Sequence, residues 1–150
     1  MEAKERFRKR LEELFHAQNL ATLSTQHAGQ PYASLVAFVA GDDLRHIFFA
    51  TATTTRKYAN LAADSRVAML INSSMNQTSD FHRAISVTAV GHAKDVTGKD
   101  QKRVLDRYLA KHPYLEDFIR SPTCALVQVS VDSYYMVKNF QNVTELHLTP

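Results

Sequence analysis

The sequence predicts an α+β domain in which about six β-strands close, or partly close, into a barrel with helices inserted between them. Three observations carry this. From Leu20 onward, short runs rich in Val, Leu and Phe recur with the length of strands. The first three are joined by Gly, Asp and Pro turns too short for a crossover helix, so they form an antiparallel meander. Helical periodicity is confined to the N-terminus and to stretches between later strands. At 150 residues, 45% hydrophobic and 22% charged, the chain has the size and composition of one folded domain spanning residues 1–150.

Each element has its own signal. Residues 3–18 place Phe7, Leu11, Leu14 and Phe15 on one stripe, and Gln18-Asn19 offers a left-handed cap. Strands follow at Leu20–Thr25, Tyr32–Ala40 and His46–Thr51, turned at residues 27–31 and at Gly41-Asp42-Asp43. Residues 54–63 form a helix with Tyr58, Leu61 and Ala62 on one face. Arg66–Asn72 and Ile85–Val96 are the fourth and fifth strands, joined by the polar loop 72–80, long enough to be either mobile or functional. Residues 98–111 are helical after Thr97, with Asp100 placed as in a capping box; Pro113 stops this helix and one or two more turns follow. Cys124–Val131 is a sixth strand, and Asp132-Ser133 turns the chain into a seventh at Tyr134–Val137.

Composition excludes several functions. No apolar run approaches the ~18 residues of a membrane span, and MEAKERFRKR is not followed by a signal-peptide core. A cytoplasmic protein with no membrane partner is expected. Cys124 is the single cysteine and has no disulfide or zinc partner, so it reads as a small buried apolar residue. The net charge of +3 is too small, and too little interleaved with aromatics, for a nucleic-acid stripe. The seven histidines show no metal-ligand spacing; His82 and His92, flanking the fifth strand, read as surface or hydrogen-bonded histidines rather than as a haem ligand or proton donor. No nucleophile triad or paired carboxylates stand out, and no catalytic residue is assigned.

The strongest candidate site is Thr51-Ala52-Thr53-Thr54-Thr55-Arg56-Lys57, which leaves a strand and opens a helix. Free N–H groups and the positive dipole end lie there, so Arg56 and Lys57 stand where carboxylates belong. A bound anion resolves the conflict, with N–H groups, hydroxyls and two cations converging on one phosphate. The plainer alternative is a helix capped by Thr53 or Thr54 with both cations in solvent.

Gly29-Gln30-Pro31-Tyr32-Ala33-Ser34-Leu35-Val36, then Phe49-Ala50-Thr51, then Thr55-Arg56-Lys57, resemble the FMN-binding split-barrel family of pyridoxamine 5′-phosphate oxidase over about residues 8–137. The resemblance implies a split β-barrel of six or seven mainly antiparallel, Greek-key-like strands, and a homodimer with FMN at its interface. It implies that the backbone of Ser34, Leu35, Val36 and Ala37 lines the flavin's pyrimidine side. Ala50 and Thr51 lie at the cofactor, with Thr51, Thr55, Arg56 and Lys57 on its phosphate; Ser86 takes the place of a flavin-contacting glutamine. Val39 replaces a phosphate-holding lysine, and Glu145-Leu146-His147 matches only a fragment of the oxidase's substrate segment.

The expected function is therefore an FMN flavoprotein, an oxidoreductase acting on a small molecule with an unidentified electron donor. Alternatives of the same fold are an FMN carrier or electron-transfer protein and, since residues 112–114 through 135–137 also resemble the haem-utilisation branch, a haem-binding protein. Deazaflavin is a third cofactor option. The strand from Cys124 and the run Tyr134-Tyr135-Met136 are the expected dimer contacts.

Overall fold

The structure, a computed structural model, describes residues 2–149. Its helices and strands run in the order α1 (Ala3–Ala17), β1 (Leu20–His27), β2 (Gln30–Ala40), β3 (His46–Ala52), α2 (Arg56–Ala63), β4 (Arg66–Asn72), α3 (Asp80–Arg83), β5 (Ile85–Asp95), α4 (Asp100–Lys111), α5 (Glu116–Arg120), β6 (Cys124–Lys138) and β7 (Asn142–His147). A 3-10 turn at Pro113–Leu115 links α4 to α5.

The strand order is β3-β2-β1-β4-β5-β6-β7, and β3 also pairs with β6. That last pairing closes β1–β6 into an antiparallel barrel, a Greek-key arrangement because β4 lies beside β1. β7 adds to the free edge of β6 beyond the point where β3 leaves it: β3 takes residues 124–130 and β7 takes 133–138.

Alternation along the strands makes two cores. Leu23, Phe38, Ile47, Phe49, Met69, Val87, Val129 and Tyr134 fill the barrel, which α1 closes with the predicted stripe of Phe7, Leu11, Leu14 and Phe15. On the outer face of β2, β3 and β6, Val39, Phe48, Ala50 and Leu126 pack beneath Val104, Tyr108 and Ile119 of α4 and α5.

The structure corrects four local readings. Asp132-Ser133 is not a turn: β6 runs unbroken through it, and Asp132 is the extra residue of a β-bulge opposite Val90 and Gly91. There β5 and β6 approach so closely that a Cβ on Gly91 would lie 2.0 Å from the Ser130 carbonyl oxygen. Tyr134 and Met136 are in consequence inside the barrel, at 0% and 1% exposure, and supply no dimer contact. Thr97 forms no capping box; α4 starts after Lys99, which makes no side-chain cap. Gln18 is extended rather than left-handed, and the carbonyls of Phe15 and Gln18 instead accept Lys111 Nζ, both at 2.7 Å. β7 had no strand signal in the sequence.

The 72–80 segment is an organised loop. The Asp80 carboxylate accepts the backbone N–H of Met75 and of Gln77 at 3.0–3.1 Å, which lowers its pKa. Among the described residues no helix is long and apolar enough to cross a membrane.

Candidate functional site: the cleft between β2 and β3

β2 and β3 pair only through Phe38↔Phe49, Val39↔Phe48 and Ala40↔Ile47. Before Phe38 the strands separate, while β2 stays paired with β1 back to Gln30. Phe38 gives its N–H to Asn19 on the β1 side, and the Ala37 carbonyl accepts Tyr108 Oη at 3.1 Å on the other. Alternation then turns the N–H and C=O of Leu35 to the open edge. The barrel is split here.

α2 begins at the mouth of this cleft. β3 ends with Ala52 paired to Cys124, and Thr53 N–H bonds the Thr123 carbonyl at 2.7 Å. Thr55 closes the turn by donating its hydroxyl to the Ala52 carbonyl at 2.8 Å and caps α2 by accepting Tyr58 N–H at 3.3 Å. The cap is thus Thr55, neither Thr53 nor Thr54. The far side of α2 is pinned by Tyr58 Oη on Asp95 at 2.7 Å and by Asn60 Nδ2 on the buried Thr25 hydroxyl at 3.1 Å. Hydrogen bonding to the Asp95 carboxylate raises the Tyr58 pKa.

Arg56 and Lys57 occupy the first turn, which holds no acidic residue. Neither makes an ion pair among the described residues. The Arg56 guanidinium lies 5.9 Å from the ring centroid of Tyr32, across the cleft on β2. Tyr32 carried no functional signal in the sequence beyond its place after Gly29-Gln30-Pro31.

The other expected site residues distribute unevenly. Thr51 is only 2% exposed, and its hydroxyl lies 3.1 Å from that of Thr55, so it braces the turn from below. Ser34 Oγ is buried without a partner among the described residues, on the same face of β2 as the core residues Val36 and Phe38. Leu35 is exposed, Val36 belongs to the barrel core, and Ala50 is buried beneath α4 and α5. Ser86 stands apart: on β5 it is three strand spacings from Ala37, on the order of 14 Å across β1 and β4. One chain does not bring it to the α2 turn.

His92 pairs with Asp132 at 3.1 Å, and His82 is exposed on α3. His112 is buried with Nε2 on the Phe38 carbonyl at 2.7 Å, and burial lowers its pKa. Burial raises the Cys124 thiol pKa, which agrees with an inert cysteine. Among the described residues no group of three His, Cys, Asp or Glu side chains is placed to hold a metal.

At the cleft mouth stand Arg56 and Lys57 without ion pairs among the described residues, the N-terminal N–H groups of α2 and an open strand edge. Those donors suit an anionic group next to a polar edge.

Solved structures agree on the fold. A crystal structure of Campylobacter jejuni ChuZ superposes with a TM-score of 0.83 at 13% identity, over 99% of this chain and 62% of that one. A heme binding protein from Mycobacterium smegmatis gives 0.78 at 18%, over 89% and 55%. A FAD-binding protein from Mesorhizobium loti gives 0.71 at 15%, over 86% and 90%. The chain thus spans about half the length of the mycobacterial protein and under two thirds of the Campylobacter one. No curated protein matches the sequence. The family model described as pyridoxamine 5′-phosphate oxidase matches residues 7–138, most of the chain. With the split barrel in place beneath that match, the chain belongs to the pyridoxamine 5′-phosphate oxidase family.

Proposed function

We propose that the protein binds FMN in the β2–β3 cleft and works, as a homodimer in the cytoplasm, as an oxidoreductase on a small molecule. The observation that carries this reading is the pair Arg56 and Lys57, without carboxylate partners, in the first turn of α2 at the cleft mouth. The two cations and the free N–H groups hold the phosphate. The Leu35 backbone offers one N–H and one C=O to the polar edge of the ring, and Tyr108 fixes that strand by its bond to Ala37. Bound FMN supplies the electron-transfer chemistry that these side chains lack.

Dimerisation is supported by the outer face of the sheet. The pairing register aligns Leu35, Thr22, Leu70, Thr88 and Tyr135 in one row across five strands. Leu35 is 63% exposed and Leu70 39%, with Leu20 nearby at 51%. A second copy covers this row, and covering it is also the way Ser86 of one copy approaches the cleft of the other.

The test is a titration of FMN and riboflavin against wild type, Arg56→Ala and Lys57→Ala. Each substitution removes a charge-assisted hydrogen bond of about 1.5–3 kcal/mol, so FMN affinity falls by about one to two decades. Riboflavin, lacking the phosphate, binds all three equally weakly. Equal FMN affinity throughout refutes the assignment.

A haem-binding role is the second reading, favoured by the named property of the mycobacterial neighbour. The histidine beside the cleft, His112, already has its Nε2 bonded to Phe38. A Soret band in the purified protein, with no flavin released on heating, establishes the haem reading instead.

A further inference from the structure

Three cations of α4 have carboxylate partners: Lys102 on Asp106, Arg103 on Asp100 and Arg107 on Asp42. On α5, Arg120 likewise faces Glu116. α1 departs from this pattern. Lys9 and Arg10 are exposed and make no ion pair among the described residues, although the same helix carries Glu5, Glu12 and Glu13. Arg6, Lys9 and Arg10 stand three and four positions apart, on one helix face, where like charges repel and weaken a helix. An anion against that face removes the repulsion.

The same face is one wall of a groove. Between α1 and the adjoining ends of β4 and β5 lies a cavity of about 570 Å³, within the range of small-ligand sites. Arg6, Lys9 and Arg10 line one end, with Glu13 as the one carboxylate. Toward the end of α1 the lining changes character. Leu14, Ala17 and Ile85 are apolar there, and Gln18 adds a side-chain amide with no hydrogen bond among the described residues. Ser73 completes the wall with its hydroxyl already accepting the Ile85 N–H at 2.9 Å. From residue 10 to residue 18 the helix advances about 12 Å. The groove is therefore cationic at one end and neutral at the other.

This groove is separate from the β2–β3 cleft. α1 leads into β1 at Leu20, whereas α2 bonds β1 at Thr25 through Asn60, about 17 Å along the strand. No lining residue belongs to the outer row of Leu35 and Leu70, and strand alternation turns Ser73 and Ile85 away from the face of Asn72 and Ser86.

The two ends together select the ligand. A bare inorganic anion engages the cations and leaves the apolar wall and the Gln18 amide in water. A neutral ring engages the wall and leaves the cations without a counter-charge. A nucleoside polyphosphate carries both parts, a polyanion and a flat ring with a hydrogen-bonding edge.

We propose that the α1 groove binds a nucleoside di- or triphosphate, with its phosphates on Arg6, Lys9 and Arg10 and its base against Leu14, Ile85 and Gln18. The site does not depend on the function proposed above and stands whether or not FMN occupies the cleft.

The test is equilibrium dialysis of ADP, adenosine, inorganic pyrophosphate and hexaglutamate against the full-length protein, at low ionic strength without divalent cations. ADP is expected to bind at least about tenfold more tightly than each of the other three. Lys9→Gln combined with Arg10→Gln is expected to lose about tenfold or more in ADP affinity and nothing for adenosine. Gln18→Ala loses about threefold for ADP and nothing for pyrophosphate. Glu13→Gln removes the opposing carboxylate, so ADP affinity rises about two- to fivefold. Relief of like-charge repulsion keeps the urea midpoint of the Lys9/Arg10 variant at or above that of wild type, which separates lost binding from lost fold.

No ADP binding by wild type overturns the proposal, and so does equal ADP affinity in wild type and the Lys9/Arg10 variant. Pyrophosphate or hexaglutamate binding as tightly as ADP overturns it as well. Displacement of ADP by FMN with loss of ADP binding in Arg56→Ala also overturns it, because ADP then sits in the cleft. A wild type that binds ADP and takes up no FMN ends the flavin reading and leaves the groove standing.

Discussion

Arg56, Lys57 and Lys111 show how differently one charge behaves with its surroundings. The first two lie in the first turn of α2 and make no ion pair among the described residues. Lys111 is half-buried, with Nζ on two carbonyls of the α1 terminus and 4.0 Å from the Phe38 ring centroid. Burial outweighs those contacts and lowers its pKa from 10.5 to about 8. The folded chain therefore releases a proton near pH 8 that the unfolded chain keeps to about pH 10.5. Between those values the unfolded state binds more protons, and Lys111's contribution to stability rises with pH. The neutral amine still donates both hydrogen bonds. Urea unfolding at pH 7.5 and 9.5 is expected to show wild type gaining on Lys111→Met as pH rises. A constant difference between the two proteins contradicts the shift.

At the scale of elements, α2 is a short helix held by its ends. Thr55 caps it, and Asn60, 5% exposed, bonds the hydroxyl of Thr25, 3% exposed. Asn60→Leu strands that hydroxyl in the barrel wall and is expected to cost about 1–3 kcal/mol in urea unfolding. Thr55→Ala removes the cap at about 0.5–2 kcal/mol. It also loosens the turn beneath the phosphate, so FMN affinity drops while riboflavin affinity does not. A Thr55→Ala protein with unimpaired FMN binding shows that the turn geometry does not matter to the ligand. The bulge at Asp132 is the other element-scale device. It lets one 15-residue strand serve β3, β5 and β7 in turn, and it aims Asp132 at His92.

For the whole molecule, the proposed dimer rests on the outer row of Leu35 and Leu70. Tyr134 and Met136 are enclosed, and exposed Leu20, Leu35 and Leu70 lie together on β1, β2 and β4. Light scattering of wild type is expected to give twice the chain mass of 16.9 kDa. Leu35→Glu combined with Leu70→Glu is expected to give the monomer mass and weaker FMN binding. A monomeric wild type with FMN fully bound refutes the shared cleft. A double variant that stays dimeric moves the interface to another face.

The sequence by itself determined the α+β class, the extents of β3, β4 and β5 to within a residue or two, and the strand-to-helix turn at Thr51–Lys57. Those features rest on local chemistry: side-chain periodicity, turn residues, and cations in a helix's first turn. Several others depended on partners far along the chain. Asp132-Ser133 has the composition of a turn, and only the pairing of β6 with β5 across Gly91 converts it into a bulge. Lys111 completes α1 from 93 residues beyond Gln18, so no cap residue was needed there. Thr51 and Ala50 are neighbours in sequence, yet one braces the cleft and the other lies beneath α4, because alternation on β3 sends them to opposite faces. Phe81 and Phe140 are 59 positions apart and carry no joint signal until α3 and the β6–β7 turn meet over one cavity. Long-range registry is set by the closing of the barrel, and local residue patterns do not encode it.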